Sequence, residues 1–272
     1  MTDKVKQIQW FDQHHYKIGE NYIASVTTKL GADPKTNWAL ARWRGTLGKR
    51  EADLYAKERA DIGSRIHHAW CVMTTGGVVL YNPYHFENYT TEQIESIYKE
   101  YGGNVIVLTD QYEMWNVYKL QLWHKELKPE IIYSEAIVYS EKLNEAGQVD
   151  KKIRIEEGEY EINGSKKVKL PAGNYIVDLK TGKNIDTAFM QLAAYVKCDE
   201  ELTGETITGA IIVHTGATTR SGIVGLATKV KLREELKEDW LDYRAVAHAW
   251  ERRGMNQTPK IFSFPSIIQL DK

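Results

Sequence analysis

The chain has 272 residues and a formal net charge of −1. This length allows a sizeable core in one large domain or two small ones. A near-zero charge argues against a protein that coats nucleic acid indifferently, because no global positive field attracts a polyanion. An enzyme that grips nucleic acid locally through a basic groove is still allowed.

The cysteine count and the hydropathy pattern exclude further classes of protein. Cys71 and Cys198 are the only cysteines, and they lie far apart. A disulfide framework and a four-cysteine zinc or iron–sulfur site are therefore both excluded. No apolar run could span a bilayer, and the polar N-terminus lacks a signal-peptide apolar region. We expect a cytoplasmic protein without a membrane partner.

The first half of the chain is predicted to be mainly helical. A Thr-Thr-Glu-Gln sequence near residue 91 is typical of a helix start, and the glycine pair at 102–103 ends that helix. Another glycine pair at 76–77 ends the preceding helical pattern. The predicted helices cover residues 36–43, 54–74, 91–101 and 111–127.

The second half alternates β-branched and aromatic runs with turn residues at 144–147 and 163–164. Strands are predicted at residues 131–140, 149–155, 175–179 and 210–214, and helices at 188–196 and about 232–253. This order predicts an α/β fold, a mixed central sheet flanked by helices, with an N-terminal helical segment. Without a repeat or a Pro/Gly-rich linker, residues 1–272 are expected to form one domain. Its helical part covers about 1–130 and its sheet core about 131–272.

Two carboxylates are predicted at neighbouring strand ends. Asp178 closes an apolar strand, and Asp150 ends the Gly-Gln-Val-Asp sequence. A divalent ion held by carboxylate oxygens can polarise a phosphoryl oxygen and help a water ionise. Lys180 would stabilise charge growing on the phosphate or orient the water. Each residue has an alternative without a catalytic role. Asp178 would be a strand-end acid paired with Lys180, Asp150 would be a turn residue, and Lys180 would be a solvated lysine.

Further polar positions extend this candidate site. Glu135 lies within a predicted strand, where it faces either solvent or the same metal. Gln191 and Tyr195 share a helix face, which either supports the site and the DNA backbone or is ordinary surface. His67 and His68 compete for one ligand position, and their spacing alone does not choose between them.

In their order and spacing, these motifs resemble a RecB-type nuclease of the PD-(D/E)XK superfamily. The branch is the one that holds phage exonucleases, CRISPR-associated RecB-like nucleases and the mitochondrial genome-maintenance exonuclease. The similar segments are Ser25-Val26-Thr27-Thr28 with the helix at 38–43, Gly-x-x-x-His at 63–67, Glu135, Gly-x-x-Asp at 147–150, Asp-x-Lys-Thr at 178–181 and Gln-x-x-x-Tyr at 191–195. Residues 76–110 have no counterpart and are expected to be an insertion near the site entrance.

The resemblance implies a restriction-endonuclease-like fold and a role for each matched residue. It selects His67 over His68, because His67 has the four-residue spacing from Gly63. The implied ligands of Mg²⁺ or Mn²⁺ are His67, Asp150, Asp178 and the Leu179 carbonyl. The implied catalytic residues are Lys180, Asp178, Asp150 and Glu135. The implied DNA-binding or supporting residues are Gln191, Tyr195, Thr181, Ser64, Arg65 and Lys151. An iron–sulfur cluster is excluded, and Cys71 stands where relatives often carry a glutamate.

The expected function is a divalent-metal-dependent DNA exonuclease, in which a metal-activated water attacks the phosphodiester directly. Its DNA would be single-stranded or carry free ends, and its setting would be phage or mobile-element DNA processing or recombination in a bacterial cytoplasm. A recombination or replication protein is the candidate partner. The alternatives are a structure-selective, flap-type endonuclease and a catalytically silent DNA-binding subunit.

Local basic clusters could grip phosphates, or they could be solvated and charge-balanced. They are Arg42, Arg44, Lys49 and Arg50; Lys57, Arg59 and Arg65; Lys151, Lys152 and Arg154; and Lys166, Lys167 and Lys169. Trp38 and Trp43, beside the first cluster, either stack bases or belong to the core. In the C-terminal helix, a stripe at helical spacing is predicted to be core: Trp240, Tyr243, Ala247 and Trp250.

Overall fold

The computed structural model describes residues 5–10, 13–83, 89–163, 166–182, 187–218 and 224–253. Helices and strands alternate along this part of the chain, which confirms the α/β class. The helices are α1 (Val26–Leu30), α2 (Pro34–Leu47), α3 (Lys49–Thr74), α4 (Thr91–Glu100), α5 (Gln111–Leu127), α6 (Ala188–Thr203) and α7 (Leu236–Arg252). The strands are β1 (Val5–Trp10), β2 (Gln13–Ile18), β3 (Asn21–Ala24), β4 (Val78–Tyr81), β5 (Val105–Leu108), β6 (Glu130–Ser140), β7 (Glu145–Ile155), β8 (Gly158–Asn163), β9 (Lys166–Leu170), β10 (Gly173–Lys180), β11 (Ile207–Thr218) and β12 (Val224–Leu232).

A five-stranded mixed sheet lies at the centre, in the order β12-β11-β10-β7-β6. β10 and β11 run parallel, and the other neighbouring pairs are antiparallel. A parallel pair requires a crossover connection, and α6 provides it. β10 is the middle strand of this sheet and pairs in parallel with β11 and antiparallel with β7.

Helices cover both faces of this sheet. On one face, α6 and α7 pack against a cluster that includes Ile176 and Ile212. On the other face, α3 and α5 pack against a cluster that includes Tyr175 and Val177. Because neighbouring β10 residues belong to opposite clusters, the middle of this strand is buried on both sides, and its segment from Tyr175 to Val177 is apolar without interruption.

The N-terminal region differs from the sequence prediction. β1, β2 and β3 form a three-stranded antiparallel sheet, so the expectation of a helical part at about residues 1–130 is wrong for these strands. These strands are short and polar, which leaves little periodic signal. The sequence interpretation also did not identify β8, β9 and β12. β12 is an edge strand that carries lysines, a pattern that weakens the strand signal.

The segment at residues 76–110 contains a small unit of its own. β4 and β5 pair in parallel and are connected through α4, with residues 84–88 outside the described part. Thr90 caps α4 reciprocally with Gln93, as the Thr-Thr-Glu-Gln sequence predicted. Val79, Ile106 and Leu108 pack against the core on the side of α3 and α5. This unit therefore extends the layer that α3 and α5 form on one face of the central sheet.

A buried ionic network connects distant parts of the chain. Glu145, at the start of β7, is fully buried and lies 3.0 Å from Lys29 Nζ of α1. Two residues of α7 also bind this carboxylate, Tyr243 through its hydroxyl and Arg244 at 2.8 Å. Burial raises the pKa of Glu145, with the Lys29 charge opposing this shift. The partners offset the cost of desolvating a carboxylate, and removing one of them would expose that cost.

The tryptophan predictions have different outcomes. Tyr243, Ala247 and Trp250 are fully buried, and Trp240 packs against the cluster that contains Tyr243 and Ala247, which confirms the predicted core stripe. Trp38 is 64 % exposed, with the Arg42 guanidinium 5.4 Å from its ring centroid. α2 has no buried residue at all. Trp38 is therefore a surface residue and not part of the core.

Stability at acidic pH depends on His124. Trp70 Nε1 donates a hydrogen bond of 2.8 Å to His124 Nε2, which requires that nitrogen to be unprotonated. Burial lowers the pKa of His124 to about 4, and the nearby Lys151 charge adds to this shift. The unfolded chain binds a proton here near pH 6.5, as an ordinary histidine does. Stability from this group is therefore present above about pH 6.5 and is lost as the pH falls towards 4.

We predict that His124→Gln reduces the acid sensitivity of folding, because the glutamine oxygen can accept the Trp70 hydrogen bond and does not titrate. Between about pH 7.5 and about pH 5, the variant should lose about 2 kcal/mol less unfolding free energy than the wild type. Urea unfolding at both pH values measures this difference. Equal losses in the two proteins would show that His124 is not the acid-sensitive group.

Candidate metal centre

The site begins where β7 and β10 separate. The antiparallel pairing of these strands ends at Val177 opposite Lys151. The next free donor, the Leu179 N–H, donates to Asp150 Oδ2 at 2.7 Å. A carboxylate thus takes the place of a backbone partner, which satisfies the amide and fixes Asp150. Asp178 directly precedes Leu179 in the chain, so the two predicted acids lie close together where β7 and β10 separate.

α3 brings the histidine to the place where β7 and β10 separate. A Cβ at Gly63 would lie 3.0 Å from Thr181 Oγ1, so a glycine lets the helix approach the end of β10 closely. One turn further along, His67 Nδ1 is 3.4 Å from Asp150 Oδ2. His68 is exposed. Of the two candidate histidines, His67 is the one beside the acids.

Glu135 enters the site from β6. The β6–β7 register places it opposite Asp150. Its φ of 52° lies in the left-handed region, where a non-glycine residue costs about 1–3 kcal/mol and is found preferentially at functional sites. Gln148 Nε2 donates to its carboxylate at 2.7 Å. Ligand atoms of Glu135, Asp150 and His67 all lie within 4.8 Å of one another, which is compatible with one shared cation.

A polar chain connects Asp178 to α6. Asp178 and Lys180 lie two residues apart and so share a strand face, with Lys180 Nζ 2.7 Å from Asp178 Oδ2. The same ammonium donates to Gln191 Oε1 at 3.3 Å. Gln191 Nε2 donates to the Tyr195 hydroxyl at 3.0 Å, as their shared helix face allows. Gln191 and Tyr195 therefore hold Lys180 and are not ordinary helix surface.

Gly147 explains the position of Tyr195. A Cβ at residue 147 would overlap the Tyr195 ring. The glycine that opens the Gly-Gln-Val-Asp sequence thus makes room for the aromatic ring that ends the polar chain. Burial raises the pKa of Tyr195 well above its ordinary value, so its hydroxyl stays protonated.

The electrostatics of the acids reflect their crowding. Burial raises the pKa of Asp178 to about 6, with the Asp150 charge adding to this and the Lys180 charge opposing it. Burial and the Asp150 charge also raise the pKa of Glu135. Burial also acts to raise the pKa of Asp150. The favourable interactions of Asp150, first of all its pairing with His67, outweigh burial, so the Asp150 pKa is lowered. Two of the three carboxylates are thus costly to ionise without a cation.

For the two basic groups, burial and the neighbouring acids shift the pKa in opposite directions. Burial lowers the pKa of His67, but the charges of Asp150 and the other acids outweigh this and leave the pKa raised. The same competition raises the pKa of Lys180, where Asp178 is the dominant favourable partner. Lys180 therefore stays an ammonium at neutral pH.

The donor set fits a hard divalent cation. Carboxylates suit Mg²⁺ and Mn²⁺, and an imidazole among them is better suited to Mn²⁺. Asp178 Oδ2 is buried and, apart from its ion pair with Lys180, has no hydrogen bond of acceptable geometry. This oxygen has unused acceptor capacity, which a cation could take up.

Two cavities reach these residues. The larger, of about 780 Å³, is lined by the acids and the polar chain and, from the N-terminal part, by Gln7, His14, Tyr16 and Thr27. The smaller, of about 580 Å³, is lined by Arg59, Ser64, His68, Cys71 and Glu135 among others. His67 and Thr181 line both cavities. Asp150 and Asp178 are therefore accessible from the larger cavity, Glu135 from the smaller one, and His67 from both.

The predicted DNA contacts of α3 are partly available. Ser64 is exposed in the smaller cavity, although its hydroxyl donates to the Ala60 carbonyl at 2.9 Å. Arg65 is half-exposed and bound to the buried carboxylate of Glu113 at 2.5 Å. Thr181 follows Lys180 and accepts a hydrogen bond of 3.3 Å at its carbonyl from the Tyr112 hydroxyl.

Lys151 does not fit the predicted role. Its ammonium is buried below the Trp70 ring and donates to Thr74 at 2.7 Å and to Ser134 at 2.9 Å. Burial lowers its pKa to about 8. Lys152 is buried as well, 2.7 Å from Asp199 Oδ2. A β7 strand covered on both faces leaves neither lysine free to reach a phosphate, so these two lysines are structural, whereas Arg154 of the same cluster is exposed and paired with Glu130.

Several site residues were missed by the sequence interpretation. Gln148 lies two residues before Asp150, and strand alternation could have placed both on one face. The N-terminal residues Gln7, His14 and Tyr16 gave no such signal, because their strands were not predicted. They line the larger cavity only through the tertiary fold.

The mixed α/β fold and this cluster define a candidate divalent-metal centre. A scan against protein-family models and a search of curated proteins found no match for the chain. In the part of the chain that the structure describes, no helix combines the length and the apolar character needed to cross a bilayer.

We predict that Glu135→Gln separates stability from metal binding. Without metal, the variant should unfold at a higher temperature than the wild type, because a carboxyl whose pKa burial raises is no longer ionised beside Asp150. Mn²⁺ at about 100 times its dissociation constant should stabilise the wild type by about 2.7 kcal/mol and the variant by much less. Thermal unfolding in EDTA and in Mn²⁺ measures both effects.

The matched control is Glu130→Gln, which makes the same change at the exposed other end of β6. It should respond to Mn²⁺ as the wild type does. A full Mn²⁺ response in Glu135→Gln would exclude Glu135 as a ligand.

Proposed function

We propose that this protein is a divalent-metal-dependent nuclease that hydrolyses DNA phosphodiester bonds as an exonuclease. The main support is the convergence of His67, Glu135 and Asp150 within 4.8 Å, beside the Asp178–Lys180 pair. A cation site next to a fixed ammonium suits phosphodiester hydrolysis, because negative charge grows on the phosphate in the transition state. The resemblance to RecB-type nucleases supports the same reaction.

The residues that would hold the cation are Asp150, Asp178, His67, Glu135 and the Leu179 carbonyl. When bound, Mg²⁺ or Mn²⁺ polarises a phosphoryl oxygen and lowers the pKa of a water. Lys180 contributes a fixed positive charge at the scissile phosphate. The ion pair with Asp178 favours the ammonium form of Lys180, in which it acts as an electrostatic stabiliser. Gln191 orients this ammonium, and Tyr195 in turn orients Gln191.

The exonuclease assignment rests on His67 and on the access to the site. In the resembling family, the helical histidine accompanies exonucleases, and His67 lies beside Asp150. Two cavities that share His67 and Thr181 would let one strand pass the acids. A role in phage or mobile-element DNA processing or recombination, a bacterial cytoplasm and a recombination or replication partner rest on the resemblance alone.

We predict metal-dependent loss of end-labelled linear DNA that requires Asp178 and Lys180. Asp178→Ala and Lys180→Ala should each lower the rate by at least about 10²-fold, because each removes a charge that acts in the transition state. The measurement is digestion in Mg²⁺, Mn²⁺ or EDTA, with Lys237→Ala as a control at an exposed lysine of α7. Cleavage that persists in EDTA, or in both site variants, would contradict the proposal.

Circular DNA distinguishes the remaining alternatives. We predict that covalently closed circles survive conditions that degrade linear strands of the same sequence, because an exonuclease needs an end. Efficient cleavage of circles would favour a structure-selective endonuclease. DNA binding without cleavage in any metal would favour a catalytically silent subunit. Gel analysis of both substrates, with the products sized over time, gives the answer and the polarity.

A further inference from the structure

An exposed aromatic surface lies beside the candidate metal centre. We call it the α5 aromatic surface; it consists of Tyr81, Tyr112, Trp115 and Tyr118, with Gln111 and Met114 between them, around a depression of about 700 Å³. Trp115 is 48 % exposed, and Tyr118 and Tyr81 are each 42 % exposed. Single exposed apolar residues are ordinary, but contiguous ones indicate a binding site.

The rings of this surface are arranged for stacking. Trp115 and Tyr118 lie three residues apart on α5, with centroids 5.6 Å apart and planes inclined by 30°. Cations lie against the rings: Lys119 Nζ is 5.3 Å from the Trp115 centroid, and Arg59 Cζ is 5.9 Å from the Tyr112 centroid. The surface therefore combines flat π-faces with positive charge.

The α5 aromatic surface is continuous with the candidate metal centre. The Tyr112 hydroxyl donates to the Thr181 carbonyl at 3.3 Å, directly after Lys180. Arg59, which contacts Tyr112, lines the same cavity as His67 and Glu135. A strand in this cavity would meet the aromatic rings within a few residues of the acids.

We propose that the α5 aromatic surface stacks the unpaired bases of single-stranded DNA whose backbone passes Arg59 into the metal centre; this rests on the proposed nuclease function. Every base has a π-face, so stacking does not depend on sequence. The Arg59 guanidinium beside Tyr112 is exposed and suits a phosphate, whereas an apolar protein partner would desolvate it without compensation. Among the nearby acids, Asp110 caps the start of α5 and Glu113 is paired with Arg65.

The first experiment measures binding without cleavage. Anisotropy of a fluorescein-labelled oligothymidine is titrated with full-length protein in EDTA. Trp115→Ala should weaken binding about tenfold, and Trp115→Ala with Tyr118→Ala more strongly, because each stacked base contributes appreciably. Trp115→Phe should stay within about threefold of the wild type, since a ring remains. Tyr98→Ala, an exposed tyrosine outside the surface, should bind as the wild type does.

A second oligonucleotide shows whether the bases are the contact. An abasic strand of the same length keeps its phosphates and loses its rings. The wild type should bind it about as weakly as the double variant binds oligothymidine, and the double variant should not distinguish the two strands. The proposal would be overturned if the wild type and the double variant lost the same affinity when the abasic strand replaced oligothymidine. Wild-type affinity of the double variant for oligothymidine, with its fold verified by circular dichroism, would also overturn it.

Sedimentation velocity addresses the competing occupant. If the wild type forms dimers and the double variant stays monomeric, the surface binds a second copy of the chain. This result would overturn the base-stacking proposal. Failure of the nuclease proposal can be recognised separately, because binding is measured in EDTA. A base-dependent affinity that requires Trp115, in a protein that cleaves nothing, would support the stacking surface and reject the nuclease.

Discussion

The close contact between α3 and the end of β10 determines the geometry of the whole site. Gly63 allows the helix to lie against Thr181, and this sets where the next turn of α3 meets the sheet. His67 then lies beside Asp150, which is itself fixed by the Leu179 amide. The ligands come from a helix and from strands, whose backbones are held by their own hydrogen bonds. A site on such elements is preorganised more precisely than one built on loops.

The candidate site concentrates negative charge at a cost to the fold. Asp178 is buried and Glu135 is half-buried, both have raised pKa values, and Glu135 also has a strained backbone. His67 and Lys180 offset part of this repulsion. An arrangement that opposes stability in this way is characteristic of functional sites. The pattern of crowded groups is thus more informative than any one acid.

Sequence reasoning predicted the centre of the molecule better than its margins. The β10 strand and the shared helix face of Gln191 and Tyr195 follow from the strand and helix periods, which tertiary structure does not alter. Lys151 shows where such reasoning fails. A lysine in a charged-looking run is expected at the surface, and only the packing of α3 over β7 reveals that it is buried. The N-terminal strands were missed for the same reason, since tertiary pairing stabilises them more than local propensity does.

The buried Glu145 network has a consequence for the order in which the molecule assembles. Its carboxylate is shared by α1, near the start of the chain, and by Tyr243 and Arg244 of α7, near the end of the described part. A nascent chain that has reached only α6 contains every predicted metal ligand but lacks two of the partners of this charge. Its β7 strand, which also carries Asp150, would have to bury Glu145 incompletely compensated. Completion of the candidate metal centre is therefore coupled to α7, so that the finished site forms only after this helix has been synthesised.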